Sequence, residues 1–314
     1  MYSKRTWTDY RVYVRRKRLV FVVVVLMILG MAVTASIHFA GRLSIRSRGT
    51  RKELLQLWDY GAFEEVFNQS QAALEPRPMD YFLLTMHGFS AYQLGVSQVN
   101  SLNASRYFDD CVWSLRRAML LKDSAQDGRL YYVLGKAYSY KGESYADLSV
   151  KYLEKAKALS FNAQDIPQYL GMAYAAIGDH RNSVVAFSEA LGSSGEMGPS
   201  GLLLLSIARS YFVLEEFELA RAYLQRCIEI SLDYRNVLSA KLLLAEVLRQ
   251  SGDYAGAIQQ LRDIIAETGD NAEAHYQLGE LYALQGDTTR ARAAWRLALR
   301  TDPAHIGART RLSI

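Results

Sequence analysis

Cysteine and proline are both scarce in this chain. Only two cysteines and five prolines occur among its 314 residues. Two cysteines cannot build a disulfide scaffold, and a chain that is 50% hydrophobic is not expected to be disordered. The length is sufficient for one large domain or for an extended array of repeats.

A general basic excess is also absent, although the formal net charge is +5. Residues 1–18 carry seven Lys/Arg and one Asp, and residues 42–52 carry five Lys/Arg and no acid. The remaining residues, 53–314, carry 25 basic and 31 acidic side chains, a net charge of −6. Because nucleic-acid binding needs a basic patch on the folded domain, we expect no nucleic-acid partner.

Residue patterns for catalysis and metal binding are missing as well. The five histidines are scattered, and neither an HExxH motif nor a paired Cys/His spacing occurs. Cys111 and Cys227 are expected to be buried packing thiols. The glycine-rich run Gly192–Gly201 lacks the Lys-Ser/Thr of a phosphate loop, and we expect a flexible loop that could act as a hinge. The sequence therefore predicts no enzyme, no cofactor, no metal and no small-molecule substrate.

One long apolar run lies between the two basic segments. Leu19–Gly41 comprises 23 residues without a charged side chain, and 13 of them are Leu, Ile, Val or Phe. As a helix it would span about 34 Å, against roughly 30 Å of hydrocarbon in a bilayer. We predict a transmembrane helix over 19–41, preceded by a basic segment over 1–18 and followed by a basic stem over 42–52. A signal peptide cleaved near Val33-Thr34-Ala35 is the competing interpretation.

The flanking charges predict the orientation of this helix. Seven Lys/Arg precede it and five follow it, which favours a cytoplasmic N-terminus and a large body outside the cytoplasm. This arrangement would suit the inner membrane of a bacterium, with the body in the periplasm. The opposite orientation stays open, because the basic stem could lie on an anionic cytoplasmic leaflet.

A repeat dominates the remainder of the chain. Small residues recur at spacings of 36, 37, 37 and 34 residues, at Gly135, Gly171, Ala208, Ala245 and Gly279. Around each of them, apolar positions recur every three or four residues, which predicts two amphipathic helices per unit. Glycine-aspartate pairs divide three of the units, and Pro303 ends the last one. A helix pair cannot bury its apolar face alone, so the pairs are expected to stack.

This grid resembles the tetratricopeptide repeat family, most strongly over residues 272–305. The resemblance implies an all-α solenoid of stacked helix-turn-helix units. We expect two irregular units over 47–127, five regular units over 128–305 and a short tail over 306–314. An insertion near 96–106 is expected to delay the second helix of one irregular unit. Glu215-Glu216 replaces the usual Gly-Asp pair. The short tail and nearby Trp295 leave end-to-end self-association possible.

The resemblance also implies a concave groove lined by the first helix of each unit. The positions flanking the small residues are its expected lining, with an early basic part and a late acidic part. Leu205 and Phe212 could instead pack between units. The Lys/Asn clamp with which some family members bind a C-terminal carboxylate is not present. The expected partner-binding residues are Arg129, Tyr132, Lys136, Gln168, Met172, Arg209, Phe212, Glu246, Arg249, Tyr276 and Glu280.

The combined features predict a membrane-anchored scaffold that binds a peptide or a partner helix in this groove. Cell-envelope assembly, secretion or quality control are the expected contexts, by analogy of fold. Two alternatives remain open at this stage. The chain could be a non-catalytic membrane adaptor or regulatory subunit of an enzyme complex, or a self-associating structural protein.

Overall fold

A computed structural model describes residues 51–121, 126–193, 195 and 198–313. In this part of the chain the regular structure is helical, with one short 3₁₀ turn at Glu143–Tyr145. Residues 51–59 form α1. The further helices are α2 Phe63–Leu74, α3 Tyr81–Ser97, α4 Ser101–Ala118, α5 Gly128–Tyr140, α6 Ala146–Ala158, α7 Ile166–Ala176, α8 His180–Gly192, α9 Gly201–Val213, α10 Phe217–Ile230, α11 Tyr234–Gln250, α12 Tyr254–Thr268, α13 Ala272–Leu284, α14 Thr288–Thr301 and α15 Ile306–Leu312.

The helices stack as pairs into an all-α solenoid. From α3 to α14, each odd-numbered helix packs most extensively against the even-numbered helix that follows it. Each odd-numbered helix also contacts the odd-numbered helix of the next pair, from α3 through α13. The odd-numbered helices therefore lie on the shorter, inner side of the curve. We call the surface formed by α3, α5, α7, α9, α11 and α13 the inner face.

Small residues allow the close packing within each pair. A methyl group at Gly171 would overlap the ring of Phe187, and one at Gly135 would lie 2.7 Å from Leu153 Cγ. Ala208 and Ala245 take the same place in later pairs and are fully or almost fully buried. The small residues recur in the repeat because the two helices of a pair pack closely at these positions. A larger side chain would prevent that packing.

The turns within the four pairs from α7 to α14 share one backbone geometry. Gly252 has φ +86°, and the amide of the following Asp253 donates to the Leu248 carbonyl at 2.8 Å. Asp253 then accepts the Gly256 amide at 2.9 Å and so caps the next helix. The same turn occurs at Glu215, which adopts φ +61° although it is not a glycine.

Two regions differ from the sequence-based expectation. The extra residues near 96–106 do not delay a helix: α4 already begins at Ser101, and α3 and α4 are 17 and 18 residues long. The insertion therefore lengthens both helices. The final residues form α15, whose Ala308 is fully buried, so the end of the solenoid is partly covered by two helical turns.

The apolar core falls into three groups along the solenoid. One group extends from Leu54 to Ala186, and another from Leu204 to Ala308. A small group between them consists of Phe187, Ala190, Leu203 and Ile207 on α8 and α9. The buried residues at the junction of α8 and α9 therefore form a separate small group, beside the glycine-rich run.

No helix among the described residues is both long and apolar enough to cross a bilayer. The predicted membrane helix at 19–41 and the basic segment at 1–18 lie outside the described residues. Of the predicted stem, only Arg51 and Lys52 are described, and both belong to α1.

Candidate functional site: the inner face

The predicted groove residues all lie on odd-numbered helices, and the solenoid brings them to one surface. Their surroundings differ along the molecule. Arg129, Met172 and Arg209 are exposed, whereas Lys136 is buried. The others are half-buried, namely Tyr132, Gln168, Phe212, Glu246, Arg249, Tyr276 and Glu280. Leu205 is buried, which agrees with a packing role.

The surroundings of Lys136 make it a structural residue. Its Nζ donates to Asp165 Oδ2 at 2.6 Å and to the Tyr132 hydroxyl at 3.1 Å. Tyr132 in turn donates to Asp165 Oδ1 at 2.8 Å. The ammonium also lies 4.5 Å from the centre of the Tyr169 ring. Burial acts to lower the pKa of Lys136, but the bonds to Asp165 and Tyr132 raise it overall, so the side chain stays charged.

Tyrosines continue this cluster across three helices. The hydroxyls of Tyr140 and Tyr169 lie 3.0 Å apart, and the Tyr140 ring stacks on Phe108 at 5.0 Å between centroids. Burial raises the pKa of both Tyr92 and Tyr169 well above the usual range. These hydroxyls therefore stay protonated, and the cluster joins neighbouring units by hydrogen bonds and ring contacts.

The inner face of α7 and α9 carries exposed apolar side chains. Met172 on α7 is 42% exposed, and Leu202 and Val213 on α9 are 44% and 54% exposed. Arg209 lies one turn before Val213, and no ion pair joins it to another described residue. Phe212 contacts Phe217 at 6.1 Å and is half-buried beside them. We call Met172, Leu202, Arg209, Phe212 and Val213 the central patch.

Paired charges occupy the inner face of α11 and α13. Arg249 Nε donates to Glu246 Oε2 at 2.7 Å within α11. Arg311 of α15 donates from Nε to Glu280 Oε1 at 2.8 Å, and a second bond joins the same two side chains. Tyr276 lies against His305 at 4.9 Å between centroids. The last unit thus uses its inner positions to hold α15.

Ion pairs balance part of the charge that was expected to differ between the early and the late groove. The charge of Lys136 is balanced by Asp165, and the carboxylates of Glu246 and Glu280 are balanced by arginines. The end-to-end stacking expected from Trp295 also loses its support. Trp295 is 8% exposed and packs over Gly279, so its ring is not available to a second copy.

Other reactive groups do not assemble into a site within the described residues. No group of three or more His, Cys, Asp or Glu side chains is arranged there to hold a metal ion. Cys111 and Cys227 are free and buried, and burial raises the pKa of both thiols. Asp109 forms an ion pair with Lys141.

Several residues of the inner face were missed, because only positions flanking the small residues were considered as groove lining. Asp165 precedes α7 and Tyr169 lies one turn into it, and both meet Lys136 of the preceding unit. Leu202 lies seven residues before Arg209, which is about two helical turns. The two side chains therefore share one face of the helix, and helical periodicity predicts that Leu202 lies on the inner face. The Asp165 contact crosses between units, and no local pattern indicates it.

Comparison with known families supports the predicted repeats in the C-terminal part of the chain. Tetratricopeptide repeat family models match residues 203–234 and residues 242–306. These segments include most of the residues of α9 to α14, where sequence and structure both support tetratricopeptide repeats. No curated protein sequence matches the chain.

Solved structures of helical repeat proteins resemble most of the solenoid. One is the C-terminal part of a TPR repeat-containing protein from Cytophaga hutchinsonii, with 14% identity, a TM-score of 0.55, and coverage of 84% of this chain and 100% of that one. PilW, a type IV pilus biogenesis factor, has 16% identity, a TM-score of 0.55, and coverage of 72% and 98%. PilF of Pseudomonas aeruginosa has 18% identity, a TM-score of 0.50, and coverage of 72% and 96%. At these identities the likeness concerns the fold.

Proposed function

We propose that this chain is a membrane-anchored scaffold that binds a protein segment along its inner face, centred on the central patch. The observation that carries the proposal is the exposure of three apolar side chains beside an unpaired arginine. Exposed apolar side chains that cluster on one concave surface are typical of protein-binding sites. Elsewhere on the same face, the charged side chains of α11 and α13 are already paired.

The shape and chemistry of the central patch favour a peptide or a helix as the bound segment. The patch extends over three turns of α9, from Leu202 to Val213, and Met172 lies on α7, the inner helix of the preceding pair. An extended apolar strip suits the apolar face of a partner helix, or alternate side chains of an extended peptide. Arg209 would orient that segment by pairing with an acidic side chain, which the patch itself does not supply.

The membrane part of the proposal is supported by the sequence alone. An anchor at 19–41 with the stem at 42–52 would hold α1 close to the bilayer. With the N-terminus in the cytoplasm, the inner face would meet proteins of the periplasm, and roles in envelope assembly, secretion or quality control would follow. With the reverse orientation, the same face would recruit cytoplasmic proteins to the membrane.

Site-specific photocrosslinking in cells tests the proposal. A photoreactive amino acid at Val213 should yield a crosslinked partner protein. The same amino acid at Val185 is the matched control, because Val185 is 66% exposed but belongs to the second helix α8. Adding Arg209→Glu should weaken the Val213 crosslink several-fold. Equal crosslinking at Val213 and Val185, or none at Val213, would contradict binding at the central patch.

A further inference from the structure

An exposed apolar surface lies outside the inner face, at the end of the solenoid where the stem enters. It is formed by the C-terminal end of α4 and by the loop between α2 and α3. Trp113 is 55% exposed, Leu120 is 76% exposed, and Met79 is exposed as well. Trp113 and Arg117 are one turn apart on α4, and Leu120 lies in the turn that follows the helix. We call Met79, Trp113, Arg117 and Leu120 the stem-side patch.

Arg117 holds the stem-side patch together. Its Nη2 donates to the Pro78 carbonyl at 2.6 Å and lies 3.6 Å from Met79 Sδ. The guanidinium also lies over the Trp113 ring, 4.2 Å from its centre. One arginine therefore joins the α2–α3 loop to α4 and keeps Met79 close to Trp113. The patch is a fixed feature of the fold and not a set of unrelated exposed side chains.

The exposure of Trp113 sets it apart from the other tryptophans in the described part of the chain. Trp58 is half-buried and Trp295 is 8% exposed. Tryptophan is highly buried on average, so an exposed ring on a helix surface marks a contact that the solenoid itself does not supply. Because Trp113 lies on α4, it is separate from the proposed partner-binding site on the inner face.

The stem joins the solenoid at the same edge as this patch. Nine residues, 42–50, separate the predicted anchor from Arg51. They span about 14 Å as a helix and roughly 30 Å when extended. The Arg51 guanidinium lies over the ring of Phe82, at the start of α3. The end of α4 lies beside the start of α3, since Arg117 bonds to Pro78.

The distance from the stem to the end of α4 is short. The helix α3 packs against both α4 and α1. Packed helix axes are about 8–10 Å apart, which puts α4 within about 20 Å of α1. An anchor that holds α1 close to a bilayer therefore brings the stem-side patch within reach of the same bilayer.

The charges around the patch suit a phospholipid surface. The last turn of α4 carries Arg116 and Arg117, and neither forms an ion pair with another described residue. In the α2–α3 loop, Arg77 is paired with Asp80 at 3.3 Å, which leaves Glu75 as the one other carboxylate of that loop. The arginines at the end of α4 therefore exceed the remaining carboxylate. Guanidinium groups bind phosphate through paired N–H···O bonds.

We infer that the stem-side patch rests on the phospholipid surface of the membrane that anchors the chain, with Trp113, Leu120 and Met79 among the headgroups. The inference rests on the proposed function, because it needs the anchor at 19–41. Tryptophan is enriched where a protein meets the boundary between hydrocarbon and water. A protein could also cover an apolar patch, but the entry of the stem at this edge favours the bilayer. The helices would then stand on the membrane by their ends, and the inner face would open sideways to water.

Lipid quenching of site-specific probes on the full chain tests the inference. The chain is reconstituted into nanodiscs of phosphatidylcholine and phosphatidylglycerol that carry a nitroxide near the headgroup. A fluorophore is attached to Leu120→Cys or, as the matched control, to Leu102→Cys. Leu102 is 80% exposed and lies at the opposite end of the same helix, about 27 Å away. The nitroxide should quench the Leu120 probe at least about threefold more strongly than the Leu102 probe, because only groups at headgroup depth meet it.

Substitution of the apolar side chains separates binding from mere proximity. Trp113→Gln with Met79→Gln should reduce quenching of the Leu120 probe to the level of the Leu102 probe. Val213→Gln, which removes an exposed apolar side chain of the inner face, should leave the Leu120 quenching unchanged. If quenching survived the double substitution, the tether alone would bring this edge near the bilayer, and the inference would be wrong.

A probe at Val24→Cys, inside the predicted anchor, tests the proposed function in the same nanodiscs. Quenching at Val24 without quenching at Leu120 would overturn the inference and leave the anchor intact. No quenching at either position would overturn both. Stronger quenching at Leu102 than at Leu120 would place the opposite edge on the bilayer and contradict the inference. So would protection of the Leu120 probe from aqueous iodide without lipid quenching, since a protein would then cover the patch. The Val213 crosslink decides the central patch independently.

Discussion

At the scale of single residues, the backbone of Glu215 is the clearest departure from the repeat. Its φ of +61° costs a residue with a Cβ about 1–2 kcal/mol, whereas glycine adopts the same conformation freely. We expect Glu215→Gly to raise the free energy of unfolding by about 1 kcal/mol, after the greater freedom of glycine in the unfolded chain is deducted. Thermal unfolding followed by circular dichroism measures the change.

The matched control for Glu215 is Gly252, which has φ +86° and open space where a Cβ would lie. Gly252→Ala should lower the free energy of unfolding by about 1 kcal/mol for conformational reasons alone. A decrease in stability with Glu215→Gly would show that contacts of the Glu215 side chain outweigh the backbone strain.

Lys136 gives a second prediction at this scale. Its side chain is 11% exposed and paired with Asp165. Lys136→Glu would place two carboxylates together in a half-buried cluster, and we expect a loss of about 3 kcal/mol or more of stability. Arg209→Glu changes the same charge at an exposed position and should cost less than about 0.5 kcal/mol. Comparable melting temperatures for the two variants would contradict a structural role for Lys136.

His87 predicts a pH dependence of the N-terminal units. Burial lowers its pKa, and the hydrogen bond to the Phe67 carbonyl and the charge of Asp110 on α4 oppose this only in part. The folded state therefore binds fewer protons than the unfolded state, so stability is full above about pH 6.5 and is lost as pH falls through the lowered pKa. Between pH 7.5 and 5.5, His87→Gln should lose less in melting temperature than the wild type does. An identical pH dependence of the two proteins would exclude His87 as its source.

At the scale of secondary-structure elements, α15 stabilises the last pair of helices. It contributes the Arg311 bonds to Glu280, and its Gly307 lies against the Tyr276 ring. Solenoid units contact only their neighbours, so loss of α15 should loosen α13 and α14 without affecting distant units. We expect truncation after His305 to reduce hydrogen-exchange protection in α13 and α14, with α3 to α6 unchanged.

The single substitution Arg311→Ala should reproduce part of the loss of protection in α13. Arg309→Ala is its control, since Arg309 is an exposed arginine of the same helix. If protection fell uniformly from α3 to α14 after truncation, the solenoid would unfold as one unit, and α15 would not be a local stabiliser.

At the scale of the whole molecule, the side of the membrane that the solenoid occupies decides which partners it can meet. The flanking charges predict the periplasmic side. Ser144→Cys places a thiol in the exposed turn between α5 and α6, whereas Cys111 and Cys227 are buried and should react little. We expect a membrane-impermeant thiol reagent to label Ser144→Cys in cells whose outer barrier is permeabilised. Labelling only after lysis would place the solenoid in the cytoplasm.

The fold of this molecule follows from the sequence because a solenoid is built from local rules. Helical periodicity, small residues such as Gly171 and turn pairs such as Gly252-Asp253 each act within one unit, and repetition makes the pattern readable. The sequence alone therefore predicted the pairing of the helices, which helices form the inner face, and which residues lie on them. It also predicted that Arg209 is exposed on this face.

Only the tertiary structure decided which inner residues are available to a partner. Asp165 neutralises Lys136 across a boundary between units, and Arg311 folds back from α15 onto Glu280. Arg51 reaches Phe82 from a different helix. Such contacts depend on how neighbouring units are rotated against each other, and the period of the repeat does not specify that rotation.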